Sequence, residues 1–209
     1  MSEQTDINAQ MRAILIDWLV EVHLKFKLMP ETLYLTVNLI DRFLEKEQIM
    51  RNKLQLVGVT AMFMASKQLH RQESVQFRTC ADFVYVTADA YTRDELLSME
   101  RLMLAKLNFQ LTTPSTYVLL RRFAKVAGIA TTPRSTTELL ANYLVELTLQ
   151  EYKMLKYRPS IICASAIYLA RKTRGRAAPW VRAASTPRRA PAQLSPGAAP
   201  FQWPAPRSH

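Results

Sequence analysis

Two carboxylates one helical turn apart, Asp17 and Glu21, are the first residues whose types and spacing could do chemistry, because paired acids can share the roles of proton donor and acceptor. Nothing completes such a site. The three histidines, His23, His70 and His209, are scattered, and none stands near an obvious acid partner. There is no glycine-rich phosphate loop, no nucleophile elbow and no His-Glu-x-x-His. Cys80 and Cys163 are far apart and share no metal-ligand spacing, so neither a zinc site nor a disulfide framework is expected. Asp17 and Glu21 therefore read as a solvated helix face, and no catalytic residue, metal or cofactor is expected. Arg12 is more telling. It lies beside an apolar stripe, Met11, Ile14, Leu15, Trp18, Leu19 and Val22, whose spacing marks an amphipathic helix against a core. A guanidinium there must be paired, since a buried unpaired charge is costly. Asp41, on the next predicted helix, is the candidate partner.

The elements that would position these residues are helices almost throughout residues 7–170, which makes the chain all-α. Helix one spans about Asn8 to Phe26. Helix two opens at Pro30, whose missing N–H costs nothing in a first turn, and carries Leu33, Val37, Ile40 and Leu44 on one face. Helix three, about Asn52 to Lys67, is apolar nearly all round and belongs in the middle of a bundle. Gly58 at its centre costs about 1 kcal/mol against alanine, which predicts close approach of a neighbouring helix. Residues 68–81 break the pattern. Order resumes at Asp82, and a helix from Asp94 to Leu107 carries Leu97, Leu104 and Leu107 on its face, flanked by Met99 and Met103. A second unit starts with a cap at Thr112-Thr113-Pro114 and a stripe of Tyr117, Leu120, Phe123, Ala124 and Ala127. Two more helices follow, about Ser135 to Gln150 with a stripe of Leu139, Tyr143, Leu144 and Leu147, and Pro159 to about Arg171.

The sequence carries 28 Lys and Arg against 17 Asp and Glu, a net charge of +11, but unevenly. Residues 171–209 hold eight of the basic residues and no acid, leaving 20 basic against 17 acidic in residues 1–170. The body is near neutral. The Ala/Pro/Arg/Ser stretch from about residue 174 can build no core and is expected to be disordered. The first residues lack the apolar run of a signal peptide, and no stretch is apolar enough to span a bilayer. An intracellular soluble protein is expected.

The identities within these helices say more than their period. Met-Arg-Ala-Ile-Leu-Ile-Asp-Trp-Leu-Val-Glu-Val at 11–22, the run at 31–44 ending Asn-Leu-Ile-Asp-Arg-Phe-Leu, and Lys-Leu-Gln-Leu-Val-Gly-Val-Thr-Ala-Met-Phe-Met-Ala-Ser-Lys at 53–67 closely resemble the first cyclin box, in its mitotic, B-type form. The resemblance covers about residues 8–67 and 82–173. It implies a five-helix bundle around a central third helix in residues 1–110, a partial second cyclin fold in 111–173, and a basic tail in 174–209. It also implies a non-enzymatic subunit that binds and activates a cyclin-dependent Ser/Thr kinase in control of the G2/M transition, in the nucleus and cytoplasm. Lys67 and Glu100 match the residues with which cyclins grip the kinase. Met11, Ile14, Leu15, Trp18 and Glu21, with Arg51 and Gln55, match the surface on which the family docks basic, leucine-containing peptides of substrates and inhibitors. Arg12 and Asp41 match the family's buried ion pair.

The match departs in two places. At residues 68–81 the family's aromatic residue, paired glutamates and Tyr-Pro-Pro-Glu turn are replaced by a longer unrelated segment, with Gln68 in the aromatic position. Beyond Trp180 an Arg/Ala/Pro stretch stands where two closing helices would be, so the apolar faces of the helices at 135–171 are expected to be exposed. Impaired activity would follow. The rival reading, prompted by the basic tail, is a cyclin-fold nucleic-acid-binding transcription factor. Against it, the body gives no electrostatic footprint and the tail has few aromatics to stack bases.

Overall fold

The first helix is set by its ends. The Asn8 side chain accepts a hydrogen bond from the Met11 N–H at 2.9 Å, and Lys27 turns the chain out in the left-handed region at φ 52°, returning its N–H to the carbonyls of His23 and Leu24. In the computed structural model, which describes residues 4–69, 79–129 and 135–175, this is α1 (Ala9–Phe26). Seven more α-helices and no strand follow among the described residues: α2 (Pro30–Lys46), α3 (Leu54–Leu69), α4 (Cys80–Val86), α5 (Arg93–Lys106), α6 (Thr116–Val126), α7 (Thr136–Gln150) and α8 (Pro159–Thr173). Pro30 and Pro159 each stand in the first turn. Capping boxes open the next two helices, Thr79 with Asp82 for α4 and Thr92 with Glu95 for α5.

The expected central helix is α3. Leu54 and every residue from Leu56 to Ser66 are buried, with α1, α2, α4 and α5 packed around it. Phe83 of α4 seals one end against Phe26 and Phe63, with ring centroids 5.2 and 5.4 Å away. Gly58 marks the close approach the sequence predicts: a Cβ there would lie 2.7 Å from Leu15 Cδ1 of α1. The second group, α6 to α8, packs chiefly on α8. It meets the first at both α1 and α2; at α2, Tyr34 stacks on Tyr117 at 5.8 Å and Ser115 Oγ donates to Glu31 Oε1 at 3.2 Å.

Three local expectations are corrected. The buried face of α5 is Leu96, Met99, Met103 and Leu107, one residue round from the predicted Leu97/Leu104 face, both of which are only half-buried. Ser115, not the Thr112–Pro114 stretch, caps α6. In α7 the small residues Thr137, Ala141 and Val145 face the core, while Leu139, Tyr143 and Leu147 of the predicted stripe are about half exposed. The expected exposure of apolar faces over 135–171 is therefore present. The altered segment at 68–81 and the disordered tail expected from about residue 174 fall mostly on residues 70–78 and 176–209, which lie outside the described residues.

Packing at Gly58 generates a test. Gly58→Val should lower unfolding stability by about 1–3 kcal/mol by overpacking. Combining it with Leu15→Ala should cost less than the sum of the two single changes, a coupling that a denaturant double-mutant cycle would read.

Candidate functional site

The apolar stripe of α1 divides between two environments. Leu15, Leu19 and Val22 enter the core, whereas Ile14 is 63% exposed. Met11, Ile14, Leu15 and Trp18 line a surface cleft of 340 Å³, closed on its other side by Arg51, Leu54 and Gln55. Six of the seven residues assigned to a peptide-docking surface are thus brought together, and Leu54 joins them. Glu21 is exposed on the same helix but does not line the cleft. Arg51 is held at the rim by Asp6, which accepts its backbone N–H at 2.8 Å and its Nε at 2.7 Å. These bonds hold the Asp6 carboxyl below its ordinary range. Asp6 carried no signal in the sequence, since its partner is 45 residues away. An apolar cleft with a fixed cation at its edge can take apolar side chains and an adjacent acceptor group.

Lys67 and Glu100 meet where the C-terminal turn of α3 passes α5. The Lys67 ammonium donates directly to Glu100 Oε1, and it stands 4.1 Å from the centroid of the Phe63 ring, a cation–π contact. The lysine side chain is 37% exposed and the glutamate 13%. The two predicted contact residues are therefore each other's partners, a charged pair at a half-desolvated surface. Phe63 was missed, although its i, i+4 spacing to Lys67 was readable. Gln68 donates to Thr112 Oγ1 at 3.1 Å.

The Arg12–Asp41 pair is present, and it reaches further than expected. The Arg12 side chain is 1% exposed. Its Nε and Nη2 grip the two Asp41 oxygens at 2.6 and 2.7 Å. Its Nη1 donates to the carbonyls of Leu149 and Gln150, at 3.0 and 3.3 Å, at the end of α7. The Gln150 amide in turn donates to Asp17 Oδ1 at 2.7 Å. Asp17 thus holds the second helical group to the first, and Glu21 lies apart from it. The thiols are unsuited to nucleophilic attack near neutral pH, since burial pushes Cys163 up to about 11 and also raises Cys80. His23 is buried, its Nε2 3.0 Å from the Met29 carbonyl oxygen. Among the described residues no cluster of His, Cys, Asp and Glu could hold a metal, and no helix is long and apolar enough to cross a membrane.

This helical architecture, with a buried Arg–Asp pair joining its parts, is the cyclin fold. The model of the cyclin N-terminal domain matches residues 1–112 and that of the cyclin C-terminal domain residues 112–185. The chain belongs to the cyclin family, whose members are regulatory rather than catalytic. Its relatives include cyclin-B2-1 of Oryza sativa subsp. japonica, 50% identical over 182 residues, or 87% of this chain and 41% of that protein. G2/mitotic-specific cyclin-2 of Medicago sativa is 50% identical over 173 residues, covering 83% of this chain and 50% of the other. The chain spans about half or less of the length of these relatives. A viral cyclin from herpesvirus saimiri, at 22% identity, superposes with a TM-score of 0.72 over 86% of this chain and 77% of its own.

Removing the arginine should expose what it holds. Arg12→Ala should cost roughly 3–5 kcal/mol in unfolding stability, because it strands a part-buried carboxylate and two carbonyls. Hydrogen exchange at the end of α7 should accelerate more than in α3. Equal protection across the chain would contradict a junction role.

Proposed function

We propose that this protein is a regulatory subunit that binds and activates a cyclin-dependent Ser/Thr kinase at the G2/M transition, in nucleus and cytoplasm, and recruits substrates through the α1–α3 cleft. The observation that carries the reading is the Lys67–Glu100 pair. It is a lysine and a glutamate from two helices, side by side at the surface, on a chain about 50% identical to B-type cyclins. An ammonium can give N–H bonds to a partner's main-chain carbonyls, and a carboxylate can receive them from its amides. Exchanging the two charges keeps a pair within the chain and should cost less than removing either one, which would strand the other.

The test separates contact from support. Lys67→Ala and Glu100→Ala should each weaken binding to a mitotic cyclin-dependent kinase by at least about tenfold, or roughly 1.4 kcal/mol. The charge swap Lys67→Glu with Glu100→Lys keeps an ion pair within the chain but inverts what a partner meets. It should leave the melting temperature near that of the parent and still lose kinase binding and activation. A swapped chain that activates the kinase normally would refute the assignment. The cleft has its own test: Trp18→Ala should weaken binding of a basic, leucine-containing peptide and leave kinase binding intact, measured by fluorescence anisotropy and by pull-down.

A further inference from the structure

Arg51 lines the α1–α3 cleft with a side chain that is 70% exposed. A bare guanidinium there would repel the cationic side chains of a basic peptide, since like charges across an interface are costly. Asp6 stands against it. Its Oδ1 accepts from Arg51 Nε at 2.7 Å and lies 2.6 Å from Nη2, and its Oδ2 accepts the Arg51 backbone N–H at 2.8 Å. A carboxylate thus fills one edge of the guanidinium and offsets its charge at the mouth of the cleft. The Nη1 end has no partner among the described residues and still has N–H groups to give. The segment that delivers the carboxylate is anchored on either side of it. Gln4 Nε2 donates to the carbonyls of Leu44, at 2.7 Å, and Glu47, and Gln4 Oε1 accepts the Ile49 N–H at 3.1 Å. Ile7 is buried in the core. None of these anchors uses the Asp6 side chain, so the backbone that carries it should stay in place when its charge is removed.

We infer that Asp6 sets the charge preference of the cleft, an inference that rests on the peptide-docking reading proposed above. Paired with Asp6, Arg51 is a hydrogen-bond donor in a net-neutral pair rather than a free cation. The rim then suits a peptide whose side chains are basic and whose main-chain carbonyls accept N–H bonds. Asp6 acts through Arg51 and is a positioning residue. It does not line the cleft itself. Its removal should therefore be felt according to the charge of the peptide. A basic peptide meets a new repulsion, a neutral one meets no change, and an acidic one gains a partner.

Asp6→Asn in the full chain isolates the charge, because the amide keeps the shape and its oxygen still accepts from Arg51. Fluorescence anisotropy would follow three labelled peptides of one leucine-containing sequence, with lysine, glutamine or glutamate at the basic positions. At low salt the variant should bind the lysine peptide roughly threefold to tenfold more weakly than the parent does. It should bind the glutamine peptide equally and the glutamate peptide more tightly. In roughly 1 M salt, where the Debye length falls to about 3 Å, these differences should collapse. The circular dichroism of the variant should match that of the parent. A merely structural role would weaken all three peptides alike and ignore salt, and that result overturns the inference. So does a variant that treats the three peptides as the parent does. A parent chain that binds none of them refutes the docking reading itself, and the inference falls with it.

Discussion

The Arg12 guanidinium is the point on which the two helical groups turn. A side chain 1% exposed cannot carry charge unless every direction of its fork is answered. Asp41 answers the two nitrogens on one edge, and Leu149 and Gln150 answer the third with carbonyls left over at the end of a helix. A lysine could not substitute, because a point charge has no fixed fork to serve a carboxylate and a helix terminus at once. The positive charge also suits the negative end of the α7 dipole. One residue of the first turn of α1 therefore fixes α2 beside it and the second helical group across it. Gln150 returning to Asp17 closes the same joint from the other side.

Much of the first group was legible because its helices are amphipathic by large residues. The α2 face of Leu33, Val37, Ile40 and Leu44 is buried as its period predicts, and the all-round apolarity of α3 announced a central helix. Arg12 was legible for the opposite reason, as a charge where the pattern calls for none. Its carbonyl partners were not, since 137 residues separate it from Leu149 and a backbone oxygen leaves no mark in a sequence. In α5, Met99 and Met103 shift the buried face by one position, which a pattern weighted to leucine misplaces.

The misreading of α7 has a physical cause. Small side chains let helices pack closely, and Thr137, Ala141 and Val145 take the buried face of α7, a helix that packs against both α8 and α1. Leu139, Tyr143 and Leu147 supply a stronger hydrophobic signal and yet face outward. Hydropathy measures what would gain from burial. It does not say which surface covers it, and on this helix the cover is not among the described elements.

The two candidate contact surfaces of the first group share a helix, and that constrains how they can work. α3 is buried from Leu56 to Ser66 and reaches the surface only near its ends. Gln55 at one end lines the α1–α3 cleft, and Lys67 at the other joins Glu100. Twelve residues of α-helix separate them, a span of about 18 Å at 1.5 Å per residue. A helix enclosed by four others, with Gly58 pressed against Leu15, has little freedom to bend or slide. The distance between the two surfaces is thus set by the core itself rather than by a loop. A partner gripping Lys67 and a peptide lying in the cleft would be held at a fixed separation and orientation, which is the way a non-catalytic subunit can raise the effective concentration of one for the other.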